Sequence, residues 1–433
     1  MQIFEADVLI DGSGGTPQRD MEIFVDDKGV IQDVAPAGSK ERPVDAMVYT
    51  NPGKTVLPGF IDVHVHLMFG EAGRTYKDVW HNDTDFLMAM RGPRNAYLHL
   101  RAGVTTVRDA GAVRDVGFAI REAAQAGLFL APRILVTGRP VTVTGGHFWW
   151  CGQEADGVDG VRTAVRQLVK DDADCIKIMA SGGGTVGTDG TRPSFSVEEL
   201  RAIVDEAHGF GKRTMAHCIA AEAVARAAEA GVDEIEHFNF MYPDGSRVWN
   251  QAAADKIKEK GLFVSPTIQT GWRAIERLQK KEKEGSLTSE ERRRLDASLY
   301  KTNTKLEFIG RFHEMGVPIA AGTDSISKFG DYAIGLQLLH RAGLSPMEVI
   351  VSATSVAAKS IGMDDKVGTV KLGMLADLVY VDGDPLADVA VLDQVSSVIL
   401  NGQVVVDKRF DVMEVGGIPA IPDSTLFYFN RSQ

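Results

Sequence analysis

The sequence predicts an α/β protein in which a (β/α)8 TIM barrel carries a composite β-domain formed by both ends of the 433-residue chain. Three observations predict this architecture. Short apolar runs alternate with helical stretches through the middle of the chain, as expected for a parallel sheet with crossover helices. Residues able to bind metals recur where these runs end. Both chain ends consist instead of β-forming runs punctuated by Gly, Asp and Pro.

The β-forming runs at the two ends predict a single β-domain. The first part contains ADVLI, MEIFVDD and IQDVA, and the last contains ADLVYVDGDPL, SSVILNGQ and VVVDKRF. Asn401–Gly402 stands between two apolar runs, which is a strong hairpin signal. Because chain ends often lie close together, we expect residues 1–57 and 370–433 to form this domain and residues 58–369 to form the barrel.

The middle of the chain supplies eight candidate barrel strands: FIDVHVH, VTTVRDAG, RILVTG, DCIKIMASGG, RTMAHC, DEIEHF, LFVSPTI and VPIAAGTD. Segments between them, such as VEELRAIVDEAHGFG, have apolar residues three and four apart and a glycine at the end, as in amphipathic helices. A doubly wound sheet would share this alternation, but it does not predict metal-type residues after so many strands. Residues 273–301 are highly charged and predict a solvated helical excursion; a lid or subunit contact is the alternative.

Composition excludes several classes of function. A net charge of −12 disfavours nucleic acid as a partner, because phosphate binding requires clustered Lys and Arg. Cys151, Cys175 and Cys218 are sparse and odd in number, which argues against a disulfide framework or a thiolate zinc site. We find no signal-like start and no apolar run of bilayer length. We therefore expect a cytoplasmic protein that acts on a small molecule, with no membrane partner.

The first candidate ligands are His64, His66 and Lys177. His64 and His66 are two apart in a strand-like run, so both imidazoles point to one face, and imidazole is a usual zinc ligand. Lys177 lies between Ile176 and Ile178, where a buried ammonium is costly unless it is paired or neutralised. It could extend its ammonium to solvent, or it could be an amine of depressed pKa that adds carbon dioxide to form a carbamate ligand.

The other candidate ligands are His217, His237 and Asp324. His217 and His237 each end an apolar run and are 20 residues apart, which fits one helix plus one strand. Asp324 ends the run VPIAAGTD, where it could bind a metal and accept a proton from water, or simply cap the next helix. Because active sites of barrels form at the C-terminal ends of the strands, these residues together predict a metal centre.

At this point a family resemblance becomes specific. The motifs TVLPGFIDVHVH, GVTTVRDAG, KIMASGG, EIEHFNF, AAGTD and GTVKLGMLADLVYVDGDPL cover nearly the whole chain, which resembles the amidohydrolase superfamily, in particular the binuclear subtype with a carboxylated lysine. It looks most like the imidazolonepropionase-related branch, which includes prolidase-like Xaa-Pro dipeptidases, metal-dependent carboxypeptidases and ochratoxin-type amidases. The resemblance implies a barrel with a composite β-sandwich domain, and a homo-oligomer.

The resemblance also implies a ligand set and a reaction. His64, His66 and Asp324 would bind one divalent metal ion, His217 and His237 a second, and a carbamate on Lys177 would bridge them, with zinc as the expected metal. The expected reaction is hydrolysis of an amide or peptide bond in a dipeptide or N-acyl amino acid by a metal-bridging hydroxide. Asp324 would act as the general base and then as the general acid.

Three further residues are candidates for substrate binding. His147 ends TVTGGH, and a GGH at this place lies in the substrate pocket of the resembling dipeptidases. Arg192 is a candidate clamp for a carboxylate. The fifth-strand motif reads HCI where some relatives carry an aromatic hydroxyl, so we consider Tyr242 as the source of that hydroxyl. Cys218, next to a ligand, is expected to be structural because its side chain points away from its neighbour's.

Two alternatives remain open. One is a cyclic-amide, lactone or carbamate hydrolase, or a deaminase, of the same superfamily. Deaminases place an acid beside the fifth-strand histidine and lack the lysine. Here Lys177 is present, and Glu222, five residues after His217, falls on the predicted helix rather than beside that histidine. Both observations disfavour deamination. The other alternative is a non-catalytic scaffold, which the complete set of expected ligands disfavours.

Overall fold

The structure is a computed structural model that describes residues 1–70, 76–410, 414–415 and 418–419. Its strands are β1 (Gln2–Leu9), β2 (Gln18–Val25), β3 (Ile31–Pro36), β4 (Met47–Tyr49), β5 (Thr55–Pro58), β6 (Phe60–Val65), β7 (Val104–Asp109), β8 (Arg133–Val136), β9 (Val141–Thr142), β10 (Gln153–Glu154), β11 (Cys175–Met179), β12 (Arg213–His217), β13 (Glu234–Glu236), β14 (Phe263–Ser265), β15 (Leu378–Val381), β16 (Val395–Leu400), β17 (Gln403–Asp407), β18 (Glu414–Val415) and β19 (Ile418–Pro419).

The α-helices of the described residues are α1 (Tyr76–Asn82), α2 (Asp85–Arg101), α3 (Val116–Gln125), α4 (Gly157–Lys170), α5 (Val197–Gly209), α6 (Ala221–Ala230), α7 (Gln251–Glu259), α8 (Trp272–Lys283), α9 (Ser289–Glu314), α10 (Tyr332–Arg341), α11 (Pro346–Ser352) and α12 (Ser355–Ser360). Two short 3-10 helices span Val389–Asp393 and Lys408–Phe410. None of these helices is both long and apolar enough to cross a bilayer.

Strands from both chain ends share one eight-stranded sheet. Its order is β17-β16-β15-β5-β1-β2-β3, with β4 paired to β1. The junction is the antiparallel pairing of β5 with β15, which joins the two ends of the chain through backbone hydrogen bonds. The hairpin predicted from Asn401–Gly402 is present, since β16 and β17 pair antiparallel around it, and Asn401 adopts a φ of 49°, which asparagine tolerates better than most residues.

The strands of the middle segment are parallel and alternate with helices. One sheet has the order β6-β7-β8 and another the order β10-β9-β11-β12-β13-β14. Every residue of β6 and β11 is buried, which is typical of parallel strands covered on both faces. The helices begin and end as the sequence indicates: Ser196 and Glu199 form a capping box on α5, and Gly231 ends α6 with a φ of 83°.

The eighth predicted strand forms bridges rather than a regular strand. Residues 317–325 bond to β14 on one side, where Ala320 N–H donates to the Val264 carbonyl at 2.9 Å. On the other side they bond to β6, where Asp324 N–H donates to the His64 carbonyl at 2.7 Å. The bridges on both sides are parallel, so this segment fixes Asp324 beside His64.

The charged segment 273–301 is helical, as predicted. It lies in α8 and in the first half of α9, both of which follow β14. Thr288 and Glu291 form a capping box that starts α9, and the two helices share a small buried cluster of Ile275, Leu278 and Leu295. The two helices therefore form a packed hairpin with an apolar interface, and α9 continues from it towards the parallel sheets.

Candidate metal centre

All six predicted ligand residues line one cavity of about 310 Å³. We call them the cavity cluster: His64, His66, Lys177, His217, His237 and Asp324. Five of them lie within one residue of the C-terminal end of a strand or bridged segment, and Lys177 lies two residues before the end of β11. The six side chains meet because parallel strands bring these ends to the same edge. Five are buried, and the side chain of Asp324 is 15% exposed.

One group in this cluster brings together two imidazoles and a carboxylate. The ligand atoms of His64, His66 and Asp324 all lie within 4.8 Å of one another. Asp324 Oδ1 is 3.6 Å from His64 Nε2 and 3.5 Å from His66 Nε2. Two imidazole nitrogens and one carboxylate oxygen that converge on one point form a donor set suited to a divalent transition metal.

The hydrogen bonds of these histidines assign their tautomers. His66 Nδ1 is 2.9 Å from the Gly111 carbonyl, which can only accept, so Nδ1 carries the proton. His64 Nδ1 is 2.6 Å from Glu236 Oε2, and the same assignment follows for a carboxylate partner. In the neutral form of each ring the lone pair is therefore on Nε2, which faces the cavity, as a metal ligand requires.

His237 and His217 also keep one ring nitrogen with a free lone pair, but their hydrogen-bond partners differ. Thr267 Oγ1 donates to the Pro266 carbonyl at 2.7 Å, so it accepts from His237 Nδ1, also at 2.7 Å, and His237 Nε2 is unprotonated. His217 Nε2 donates to the Gly182 carbonyl at 3.2 Å, so the lone pair of this ring is on Nδ1. The rings of His217 and His237 lie 4.6 Å apart, so a second pair of nitrogen ligands is available.

Lys177 lies among these histidines without a direct ion pair. It is 1% exposed, and its Nζ is 3.4 Å from His64 Nε2. Burial lowers the pKa of Lys177, against the opposing influence of Glu236 and Asp324. Because no described carboxylate pairs directly with this amine, a permanent ammonium here would be costly, and a neutral amine or an amine converted to an anion fits the site better.

Burial also keeps three of the four histidines neutral. The pKa values of His64, His217 and His237 are lowered well below the usual value, mainly by burial and further by Lys177. Asp324 behaves differently: burial raises its pKa, but the positive charges that His64, His66 and Lys177 carry when protonated lower it below the usual range. Neutral imidazoles and an ionised carboxylate are the protonation states in which these residues bind metals.

A buried ionic cluster of Arg108, Glu234 and Glu236 supports the cavity cluster from beneath. Arg108 Nη2 lies 2.8 Å from Glu234 Oε2 and 3.4 Å from Glu236 Oε1, and its Nε donates to the Val63 carbonyl at 2.8 Å. Glu236 thus joins Arg108 to His64. Sequence reasoning did not single out the two glutamates, although their spacing in DEIEH places both on one face of β13.

His147 lies in the cavity, as the GGH motif suggested. Thr185 N–H donates to His147 Nδ1 at 3.3 Å, so the ring proton is on Nε2. Burial lowers the pKa of His147 to about 3, which keeps the ring neutral. The His147 and His217 rings are 4.4 Å apart. His147 therefore places a neutral N–H donor beside the cavity cluster.

The structure does not bring Tyr242 or Arg192 into this cavity. Tyr242 starts a tight turn in which its N–H donates to the Ser246 carbonyl at 2.9 Å, and its ring packs against the core. The Arg192 side chain is exposed in the loop after β11. Polar residues that the sequence analysis did not select line the cavity instead; they are Asn239, Arg247, Thr267, Thr270, Lys301, Thr302 and Lys305.

Comparison with known proteins identifies the family. The profile described as "Amidohydrolase family" matches residues 55–405, and the chain belongs to this family. The match spans the strands that carry the cavity cluster and reaches into both parts of the eight-stranded sheet.

Individual relatives agree with this assignment. Ochratoxinase of Aspergillus niger is 28% identical over 92% of this chain and 84% of the relative. Imidazolonepropionase of Aeromonas hydrophila is 24% identical over 87% of this chain and 90% of the relative. A crystal structure of a Xaa-Pro dipeptidase with bound methionine is 31% identical, covers 93% of this chain and 99% of its own, and superposes with a TM-score of 0.79. The resemblance to the imidazolonepropionase-related branch is confirmed, and the protein is an enzyme that acts on carbon–nitrogen bonds.

Proposed function

We propose that this enzyme hydrolyses an amide or peptide bond in a small substrate, a dipeptide or an N-acyl amino acid. The observation that carries the proposal is the cavity cluster, in which four histidines, Lys177 and Asp324 face one cavity of about 310 Å³. Such a cavity is at the small end of the range for small-molecule sites. The Aspergillus ochratoxinase and the Xaa-Pro dipeptidase structure support this substrate class.

The residues fit two divalent metal ions, for which we propose zinc. His64, His66 and Asp324 would hold one ion and His217 and His237 the other, while Lys177, as a carbamate, would be shared by both. When bound, such ions polarise the substrate carbonyl and lower the pKa of water. The unpaired, buried amine of Lys177 supports the carbamate, because carboxylation replaces a desolvated cation with an anion.

The reaction also needs proton transfer and orientation, which the chain's own residues supply. Asp324, whose pKa lies below the usual range, accepts a proton from water as the new carbon–oxygen bond forms. It then delivers that proton to the leaving nitrogen as the carbon–nitrogen bond breaks. His147 Nε2–H donates to the carbonyl oxygen, where negative charge develops. Phe148 and Ile268 in the cavity wall exclude water and favour an apolar side chain.

We also propose that the parallel strands close into a (β/α)8 barrel over residues 58–369, and that residues 1–57 and 370–433 form the β-sandwich domain. The parallel bridges on both sides of residues 317–325 support closure. The three free, buried cysteines support a reducing, cytoplasmic location. Assembly into a homo-oligomer remains a prediction from the resemblance.

A substrate panel tests the proposed reaction. The zinc-loaded protein is incubated with dipeptides, N-acyl amino acids, cyclic amides and lactones, and the release of free amine and acid is measured. We expect turnover of linear amides, reduced by at least about 10²-fold in Asp324→Asn because general acid–base catalysis contributes about that much. Asp365→Asn, an exposed carboxylate far from the cavity residues in sequence, is the matched control.

The same panel tests a second candidate function, the hydrolysis of a cyclic amide. The imidazolonepropionase relative favours a cyclic amide as the alternative substrate. Turnover of cyclic amides or lactones with no cleavage of any linear amide would refute the peptidase-type proposal.

A further inference from the structure

The wall of the cavity outside the cavity cluster is cationic. Arg247, Lys301 and Lys305 all line it, although the chain as a whole carries a net charge of −12. Of the described residues that line the cavity, Asp324 is the only carboxylate, and the site itself uses it. The local charge is thus opposite in sign to that of the protein.

Lys305 has a structural explanation. It is buried, and its ammonium donates to the carbonyls of His237 and of Pro266, the latter at 3.1 Å. The ammonium also lies 5.1 Å from the centre of the Phe238 ring. Lys305 therefore ties α9 to the ends of β13 and β14, and its charge is already engaged.

Arg247 and Lys301 have no such partners. Within the part of the chain that the structure describes, no carboxylate lies within ion-pair distance of either side chain, and neither makes a side-chain hydrogen bond. Arg247 is half-buried, and burial lowers its pKa. A half-buried arginine that faces a cavity without an anion is a candidate for binding one.

Both residues are held in place by the fold. The backbone of Arg247 forms a bridge with Met241 across a tight turn, and Met241 bridges in turn to Ala220 after β12. Lys301 lies four residues before Lys305 on α9, so the two lysines share a helix face. Because Lys305 fixes that face against His237 and Pro266, Lys301 is directed to the cavity one turn away.

We infer that Arg247 and Lys301 bind the free carboxylate of the amino acid that the reaction releases. The inference rests on the proposed function, because in dipeptides and N-acyl amino acids the free main-chain carboxylate is the C-terminal one. Arg247 supplies a planar fork for bidentate binding, and Lys301 supplies a mobile point charge. Substrates that release a neutral amine or a carboxamide lack this contact, so the pair selects the leaving group.

Binding of the released amino acid tests this inference without any turnover. L-Methionine and L-methioninamide are titrated calorimetrically into the zinc-loaded wild-type protein and Arg247→Met. We expect Arg247→Met to raise the Kd of methionine by about 10- to 100-fold, as for the loss of a hydrogen bond to a charged group, and to leave the Kd of the amide unchanged. Arg247→Lys should retain part of the affinity, and Lys301→Met, because Lys301 is exposed, should have a smaller effect in the same direction.

The controls separate this inference from a general disturbance and from the proposed function. Arg277→Met, at an exposed arginine on α8, should change neither Kd. Three results would overturn the inference. The first is an equal loss of affinity for methionine and methioninamide, and the second is no binding of methionine to the wild type. The third is a loss of methionine affinity that occurs only in Arg192→Met. If Arg247→Met is insoluble, Lys301→Met provides the same comparison. A selective loss in Arg247→Met with no linear amide cleaved in the panel would support the carboxylate site and refute the peptidase-type function.

Discussion

Two buried polar clusters meet at β13, and they differ in how their charges are balanced. In the ionic cluster, Arg108 is paired with both Glu234 and Glu236, so each carboxylate lies beside a cation of the protein itself. The cavity cluster contains one carboxylate, one lysine without an ion pair and four histidines whose lone pairs face a common space. The carboxylates of the first cluster have a cationic partner in the fold, whereas the lone pairs of the second are open to the divalent ions proposed above.

This difference in charge balance distinguishes a candidate functional site from a structural ion cluster. Burying polar groups costs several kcal/mol unless partners are present, and the fold provides those partners for the ionic cluster. It leaves the cavity cluster uncompensated, at the edge of the sheets where a ligand can enter. Glu236 belongs to both sets, since it accepts from His64 and pairs with Arg108.

The largest effect is expected at Lys177. Lys177→Ala removes the group proposed to be shared by both metals, so we expect amide turnover to fall by about 10³-fold or more, which corresponds to several kcal/mol of transition-state stabilisation. Amine release and the metal content per chain are measured together. Lys170→Ala, at an exposed lysine at the end of α4, is the control. A Lys177→Ala protein that keeps both metals and full activity would contradict the proposed ligand set.

A smaller effect is expected where the two clusters meet. Glu236→Gln removes the negative charge behind His64, so we expect metal affinity to fall by about 10- to 100-fold, as for other groups that orient metal-binding histidines. Competition with a chromogenic chelator measures this. Glu234→Gln is the matched control, because it removes the same charge beside Arg108 without touching His64. Equal losses in both variants would show that the effect passes through Arg108 rather than through His64.

The sequence predicted the cavity cluster better than it predicted the rest of the cavity. His64, His66 and the other four predicted ligands are brought together because each stands at the end of an apolar run, and the order of parallel strands determines where those ends meet. The alternating strands and helices, the hairpin at Asn401–Gly402 and the helical segment 273–301 were predictable for a similar reason, because periodicity and turn residues are local signals.

Contacts made by loops and by distant helices were not predictable. Arg247 and Lys301 come from a turn and from α9, and their approach to the cavity depends on tertiary packing that no local pattern encodes. Arg192 and Tyr242 were chosen for their chemistry and their proximity in sequence to strand ends, but the structure directs them elsewhere. Residues on strands are located by periodicity, whereas residues on loops are not.

A buried histidine outside the cavity, His99, makes the stability of the protein depend on pH. His99 Nδ1 accepts from Gly330 N–H at 3.0 Å, and burial lowers the pKa of His99 to about 4. Between about pH 6.5 and pH 4 the unfolded chain takes up a proton that folded His99 does not, so stability falls as the pH is lowered through this window. A single proton contributes at most about 1.4 kcal/mol per pH unit.

The measurement compares urea unfolding of the wild type and His99→Gln across that window. The glutamine oxygen can still accept from Gly330 but does not titrate. We therefore expect the slope of unfolding free energy against pH to decrease by up to about 1.4 kcal/mol per pH unit, the contribution of one proton. Burial raises the pKa of nearby Asp62 to about 7, which changes stability in the opposite direction, so the difference between variants is the quantity to interpret. Identical slopes would contradict a neutral, buried His99.

The smallest effect is expected at Cys218, which directly follows His217, one of the proposed ligands. Burial raises the pKa of the Cys218 thiol, and its Sγ lies 3.8 Å from the Ala223 carbonyl, so it is a protonated, packed side chain rather than a nucleophile. Cys218→Ala should therefore leave amide turnover within about threefold and cost roughly 1 kcal/mol of stability, as for an average substitution. Turnover and urea unfolding are measured on the same preparation. A loss of turnover comparable to that of Lys177→Ala, with metal content intact, would mean that a thiolate takes part in the reaction and that the cavity cluster does not act through metals alone.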